Sequence, residues 1–294
     1  MTDVSPCVGL CKLDDATGYC LGCARTGDEI AGWGSVPGAH RAAVWAALPD
    51  RFENLGVTCR RLPWDAGDIR SFLVDRLRRG AGTWVAGVVG AVAEFTPVAG
   101  ADVEVALSGE SVIARTQGAA LRFVINDDVR ALTFERNDVP LARSRIVLAV
   151  KRERGRPDCA PVLTELGPDR GAIAPEKQGE RLFDLGLGRK EARFCVRVGP
   201  GRAQEALRQS LGVSFPESLP GIGPALLAES PWRVIETALG RIEVGTPIPP
   251  PGGVSPAGPH THLLPDHLAT GRALPAGFDL PRAYLPGAMF YPAT

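Results

Sequence analysis

Lysine is scarce in this chain of 294 residues: Lys12, Lys151, Lys177 and Lys190 are the four, and arginine supplies nearly all the remaining positive charge. A GC-rich genome accounts for that bias more simply than bidentate phosphate recognition, the setting in which Arg and Lys differ most. Net charge is also missing, because 33 basic and 33 acidic side chains cancel. The broad positive field that draws a protein onto nucleic acid is therefore absent. No run approaches the roughly 20 apolar residues of a membrane span, since Gly, Arg, Asp or Pro interrupts each one. The start, Met1-Thr2-Asp3-Val4-Ser5-Pro6, has neither the basic residues nor the apolar stretch of a secretion signal, so a cytoplasmic location is expected. A G-x-S-x-G elbow, a Walker loop, a dinucleotide fingerprint and H-E-x-x-H are all missing, which disfavours a standard hydrolase, kinase or dehydrogenase.

What is present is a 45% hydrophobic fraction, enough for a folded core in one large domain or two ordinary ones. Thr26 is placed to cap a short helix carrying Asp28, Glu29, Ile30 and Trp33, and Ser35 to cap another that holds Val44, Trp45 and Leu48 until Pro49 interrupts it. Residues 49–64 read as a connector. The spacing of Ile69, Leu73, Val74 and Leu77 predicts an amphipathic helix over Asp65 to Arg79, ended by Gly80 and Gly82. A Val-rich run from Thr83 to Phe95 follows, as a strand or strand pair. Short strands are then expected at 103–107, 111–116, 121–125, 131–134, 146–150 and 193–198. A helix over 202–211 and two strands bent around Leu239-Gly240 complete the pattern. Successive strands without long helices between them predict an α+β fold dominated by antiparallel sheet. The expected division is a small module at 1–52 and a larger α+β domain at 60–294. From Thr246 to Pro259 the chain is rich in Pro and Gly, as suits a surface loop.

Seven cysteines, an odd number in a reducing compartment, argue against a disulfide framework. Cys59, Cys159 and Cys195 are scattered and read as small buried apolar side chains. Cys7, Cys11, Cys20 and Cys23 instead form a C-x3-C pair and a C-x2-C pair. Four thiolates so arranged can wrap a tetrahedral metal, and Gly22 in the second knuckle lets backbone amides turn toward sulfur. Zn–S bonds of about 2.3 Å would hold the sulfurs roughly 3.5 to 4 Å apart. Reactive or merely buried thiols are the alternative. A segment this short buries little, so a bound metal would contribute folding free energy that the segment lacks.

Ser5-Pro6-Cys7, Cys11, Cys20-Leu-Gly-Cys23-Ala-Arg25-Thr26, Asp28-Glu29-Ile30, Trp33 and Arg41 together resemble the YdhL-like family of small bacterial domains, predicted iron–sulfur proteins of unknown function. The likeness covers residues 5 to 52 and implies a metal centre with the four cysteines as ligands. The glycine usual after the second pair is Ala24 here. The family label favours a cluster, whereas four thiolates suit zinc and an iron–sulfur centre alike. Residues 60–294 resemble bacterial proteins sharing Leu-Phe-Asp-Leu-Gly-Leu-Gly, Phe-Cys-Val-Arg, Leu-Gly-Arg-Ile-Glu-Val and Gly-Pro-His-Thr-His-Leu-Leu-Pro, a likeness that brings no activity with it.

Three of the chain's four histidines fall at His260, His262 and His267, with Asp266 beside the last. An H-x-H pair on an extended segment directs both imidazoles to one side, and Asp266 joins them if a helix begins at Leu263. Such a set can hold a divalent metal with an open position or bind an anion at the start of a 263–270 helix. A rigid loop whose histidines bond to backbone carbonyls explains the same residues without chemistry. The Gly-x-Gly of Phe183 to Arg189 lacks a third glycine and reads as a turn rather than a phosphate loop.

Two functions follow from these residues. The first is an accessory metalloprotein whose cysteine centre, zinc or iron–sulfur, docks a partner or reports metal or redox state. The second is a metalloenzyme built on the histidine cluster, with the cysteine centre structural or electron-transferring. Partners are expected to be a protein or a small molecule rather than a membrane. A nucleic-acid-binding zinc module is a third reading, and the balanced charge opposes it.

Overall fold

In the computed structural model the described residues are 4–8, 11–56, 59–88, 91–133, 135, 139–155, 157–187, 192–250, 253, 258–262, 280 and 283–293. The N-terminal segment folds around two helices, α1 (Gly27–Ala31) and α2 (Gly38–Asn54). Thr26 caps α1, as its sequence predicts, and the cap is a reciprocal box with Glu29. Two expectations for α2 fail. The Ser35 hydroxyl bonds to the Gly32 carbonyl instead of capping, and Pro37 occupies the N-cap. The helix also runs through Pro49 to Asn54, taking in part of the expected connector. A proline inside a helix costs about 3 kcal/mol. The buried ridge of Val44, Leu48 and Phe52, packed with Ala24, offsets it at roughly 1.5–3 kcal/mol per side chain.

Beyond this segment the chain forms two antiparallel sheets with helices at their margins, an α+β fold. The elements in chain order are β1 (Arg60–Arg61), α3 (Ala66–Arg78), β2 (Thr83–Val88), β3 (Ala91–Phe95), β4 (Glu104–Ser108), β5 (Ser111–Thr116), β6 (Ala119–Val124), β7 (Val129–Thr133) and β8 (Ile146–Lys151). The remainder are β9 (Thr164–Pro168), β10 (Arg181–Asp184), β11 (Ala192–Val198), α4 (Arg202–Gln209), α5 (Phe215–Glu229), β12 (Trp232–Thr237), β13 (Gly240–Val244), β14 (His260–His262) and β15 (Tyr284–Tyr291). One sheet has seven strands in the order β1-β7-β8-β15-β2-β3-β14, and the other eight in the order β4-β5-β6-β13-β12-β11-β10-β9.

The sheets stack, with β2 and β3 lying against β11, β12 and β13. Period-two alternation sends Trp84, Ala93 and Phe95 of one sheet and Leu121, Phe123, Val196, Ile235 and Ile242 of the other into a shared apolar core. The α3 helix, capped by a reciprocal Asp65–Asp68 box, adds Ile69, Leu73 and Leu77 to that core. From α4 and α5 come Ala203, Leu207, Ile222 and Leu226. The expected elements include no helix over 215–229, a stretch holding Pro216, Pro220, Gly221, Gly223 and Pro224. Burial of Ser218, Ile222 and Leu226 at four-residue intervals holds α5 helical all the same. Gly240, at the bend between β12 and β13, sits at φ 154°, where a Cβ would strike the Arg122 carbonyl oxygen at 2.0 Å. That bend requires glycine.

The far face of the eight-stranded sheet is charged and nevertheless buried. Asp169, from the loop that closes over it, receives two hydrogen bonds from Arg241 at 2.7 and 3.0 Å and one from Arg197 at 3.2 Å. Arg197 also donates to Glu243 at 2.7 Å, and Glu243 accepts the Ile173 N–H at 2.9 Å. Burial raises the Asp169 carboxyl, but Arg241 and Arg197 more than offset this and hold it below the usual range. A depressed folded-state pKa contributes stability that is present above the unfolded value near 3.9 and is lost as pH falls through the folded one. Removing one member of such a group leaves an unpaired buried charge, at a cost of about 3–5 kcal/mol. Asp169→Asn is therefore expected to lower the denaturation midpoint sharply at pH 7 and to flatten the loss of stability below about pH 4. Urea titrations of both proteins across that pH range check both outcomes.

Candidate metal centre

The cysteine segment is a hairpin-like loop. Asp14 starts a turn, accepting N–H bonds from Thr17 on its carboxylate at 2.9 Å and from Gly18 on its carbonyl at 2.8 Å. The chain then returns so that Leu13 bridges Cys20 and Leu21 donates to the Lys12 carbonyl. The second knuckle closes on itself, Ala24 N–H to Cys20 oxygen at 2.7 Å, with Ala24 in the left-handed region at φ 55°. This is the position where the resembled family carries glycine, a residue that adopts the conformation without strain.

The four sulfurs differ in exposure. Cys20 and Cys23 are buried, Cys7 is partly so, and Cys11 faces solvent. They interact as pairs, Cys7 with Cys11 and Cys20 with Cys23, and the Cys20 sulfur is also felt at Cys11. Among the described residues, no group of three or more His, Cys, Asp or Glu side chains stands where it could hold a metal ion. N–H donors converge on the inner pair. Burial pushes the Cys20 thiol up, but the backbone N–H groups of Gly22, Cys23 and Lys12, with the Cys23 thiol, leave it below its ordinary value. Cys23 is pushed up to about 11 by burial, against the opposing pull of the Arg25 side chain and backbone N–H. The Arg25 Nε lies 3.4 Å from the Cys23 sulfur, and its guanidinium stacks 4.6 Å from the Trp33 ring. Cys11 is raised chiefly by the Cys7 sulfur beside it.

The remaining cysteines lie elsewhere. Cys59 and Cys195 are buried, with burial raising the Cys59 thiol to about 12 and the Cys195 thiol well above its ordinary value. Cys159 points its sulfur at the Ala192 carbonyl, 3.3 Å away.

Sequence reasoning missed two residues that join this segment to the large sheets. Arg61, on the edge strand β1, is buried and donates to the carbonyls of Ser5 and Cys7. Burial drives its pKa down to about 10. Val8 enters a second apolar cluster with Val85, Val92, Leu132, Val147 and Met289 on the outer face of the seven-stranded sheet. The first cysteine is thus tied to that sheet by its own carbonyl. An arginine ending a two-residue strand carries no sequence signal for this contact.

Of the histidine cluster, His260 and His262 lie on β14, in register with Glu94 and Val92 of β3. Asp266, His267 and the expected 263–270 helix fall outside the described residues. The structure adds Glu94, fully buried, whose Oε2 is 3.6 Å from the His260 Nε2. A lone acid within the apolar run Ala91-Val-Ala-Glu-Phe95 is the signal that could have drawn attention to it. The Asp184 carboxylate of the expected turn accepts the Gly186 N–H at 2.9 Å, a local turn contact.

The fold and the cysteine segment define an antiparallel α+β protein with a small N-terminal four-cysteine domain. The chain belongs to the family described as Family of unknown function (DUF6925), whose model matches residues 68–294. A second model, Protein of unknown function (DUF1289), matches residues 5–52, the stretch containing the four cysteines. Comparison with curated proteins gave no match, and comparison with solved structures gave none. No helix among the described residues is long and apolar enough to cross a membrane.

Loss of the Arg61 bonds should loosen the cysteine segment while the sheets stay folded. Arg61→Met, which keeps the apolar stem, is expected to speed amide exchange across residues 4–25. Protection in β8 and β15 should hold. Hydrogen exchange read by mass spectrometry checks this, and unchanged rates in residues 4–25 would mean that Val8 alone anchors the segment.

Proposed function

We propose that residues 1–52 form a module holding one metal centre through Cys7, Cys11, Cys20 and Cys23, attached to an α+β domain at 60–294. In this reading the protein is a cytoplasmic accessory or metal- and redox-responsive metalloprotein. The observation that carries it is the set of N–H donors on the inner pair: three backbone amides at Cys20, and the Arg25 side chain and backbone at Cys23. A buried neutral thiol is a weak acceptor with little use for such donors, whereas a metal-bound thiolate is stabilised by them. Arg25 places a positive charge against what would be a net negative four-thiolate centre.

Zinc would supply folding free energy to a segment of modest core, and an iron–sulfur cluster would add an electron-transfer couple; the donor set accepts either. The uneven exposure of the sulfurs suits a responsive role. Cys11 is exposed and the neighbouring Leu13 is 46% exposed, so oxidants and a protein partner can reach that edge. The inner pair rests against α2 through Ala24. A change at Cys7 would pass to the large sheet through Arg61 and Val8.

Elemental analysis and a visible spectrum after anaerobic purification test the proposal. A coloured protein containing iron and sulfide identifies a cluster, and a colourless one containing zinc identifies a structural site. In either case Cys20→Ser combined with Cys23→Ser is expected to remove one centre's worth of metal. After cobalt replacement, the variant should lack the sulfur-to-metal absorption of the parent. Cobalt uptake by the parent without any sulfur-to-metal absorption would overturn the reading.

A further inference from the structure

We infer that the β4 edge of the eight-stranded sheet is a self-association surface: two copies of the chain pair their β4 strands antiparallel about a two-fold axis at Val105 and join their sheets into one. It is independent of the cysteine centre, whose segment is tied to the other sheet.

The eight-stranded sheet ends in β9 on one side and β4 on the other. A sheet edge presents N–H and C=O groups that template pairing with another strand unless something blunts it. β9 is blunted. It ends in Pro168, holds Gly167 at φ 93°, and shifts register against β10 between Leu182 and Phe183. Arg181 and Arg208 both reach its Glu165, at 2.6 and 3.5 Å. Leu163, just before it, is already bonded through its backbone to Gly212 and Val213. β4 has none of these devices. Its five residues keep unbroken register with β5, from Glu104 opposite Arg115 to Ser108 opposite Ser111, and include no proline, glycine or lysine.

The backbone groups that face away from β5 follow from the hairpin. Only Gly109 and Glu110 separate Ser108 from Ser111, so the turn closes with a bond from the Ser111 N–H to the Ser108 carbonyl. Antiparallel bonding then alternates along the strand. Glu104, Ala106 and Ser108 bond to β5, and Val105 and Leu107 aim their N–H and C=O outward. Among the described residues no strand pairs with that side of β4.

The side chains fit a second copy of the same strand. With the axis at Val105, that residue faces its own counterpart, and Leu107 of each copy faces Val103 of the other. Period-two alternation puts these three residues on one side of the strand, so the paired edges make a continuous apolar ladder. Val103 and Val105 already pack on the core, while Leu107, 58% exposed, is the most exposed large apolar side chain among the described residues. On the opposite side Glu104, held 3.5 Å from Arg115 of its own chain, meets Ala106, and Asp102 meets Ser108. No like charges oppose each other. An axis one residue along, at Ala106, would set Asp102 against Glu110 of the other copy, and like charges directly opposite are destabilising. Two short strands bury less than a standard interface, so the dimer is a weak, concentration-dependent one.

Sedimentation velocity of the full-length protein over a concentration series, in reductant to prevent cysteine cross-links, tests the inference. A reversible dimer is expected. Leu107→Lys should weaken it by about tenfold, because the two-fold axis repeats the lost contact. Position 106 reads the register through charge. Ala106→Glu, which faces Glu104 of the other copy, should weaken the dimer, and Ala106→Lys should strengthen it. Amide exchange across residues 101–109 should slow as the unaltered protein is concentrated, a measurement that needs no variant to fold. Circular dichroism establishes that each variant is native before its association is compared. A monomer at every concentration overturns the inference. A dimer indifferent to Leu107→Lys, or one moved in the same direction by both Ala106 substitutions, overturns it equally.

Discussion

The C-terminal strand holds the first sheet together. β15 pairs with β8 on one side and β2 on the other, so the order β1-β7-β8 and the order β2-β3-β14 become one sheet only through it. Phe290 reaches from β15 into the core, 5.0 Å from the Trp84 ring and 5.4 Å from Phe72. The Arg152 backbone N–H bonds to the Ala283 carbonyl where β8 runs on beside the start of β15. Everything on the outer face of that sheet depends on this insertion, including Val85, Met289 and the cluster that seats Val8. Both candidate sites are attached to the sheet: the cysteine module through Arg61 and Val8, and the histidine pair through β3.

The protein handles buried charge differently on its two sheets. On the eight-stranded sheet, opposite charges satisfy one another: Arg197 and Arg241 against Asp169 and Glu243, with a covering backbone N–H. Such paired groups specify geometry. On the seven-stranded sheet the buried Glu94 faces an imidazole at a distance too long for a good hydrogen bond. The paired network reads as architecture.

The cysteine module follows a related logic at small scale. Its apolar cluster comprises little more than Ala24, Val44, Leu48 and Phe52, with Trp33, Trp45 and Leu55 alongside. Polar contacts supplement it, as Arg51 grips Glu29 and also the Ala24 carbonyl, and its guanidinium lies 4.9 Å from the Tyr19 ring. With so little apolar burial, a segment of this size gains substantially from any metal its thiolates take up.

The sequence by itself determined the features set within a few residues. The Thr26 cap, the C-x2-C knuckle and the α3 ridge depend on neighbours three or four positions away, and each was legible. So were most strands of the first half and the antiparallel α+β class, because alternation is a local pattern. Local signals misled where burial overrode them, as at Pro49 in α2 and throughout α5. The tertiary structure alone decided that β15 lies at the centre of a sheet, that Arg61 holds the carbonyls around Cys7, and that Glu94 meets His260. Those contacts join segments far apart in the chain, and partner choice there is set by how whole sheets pack rather than by the residues beside each group.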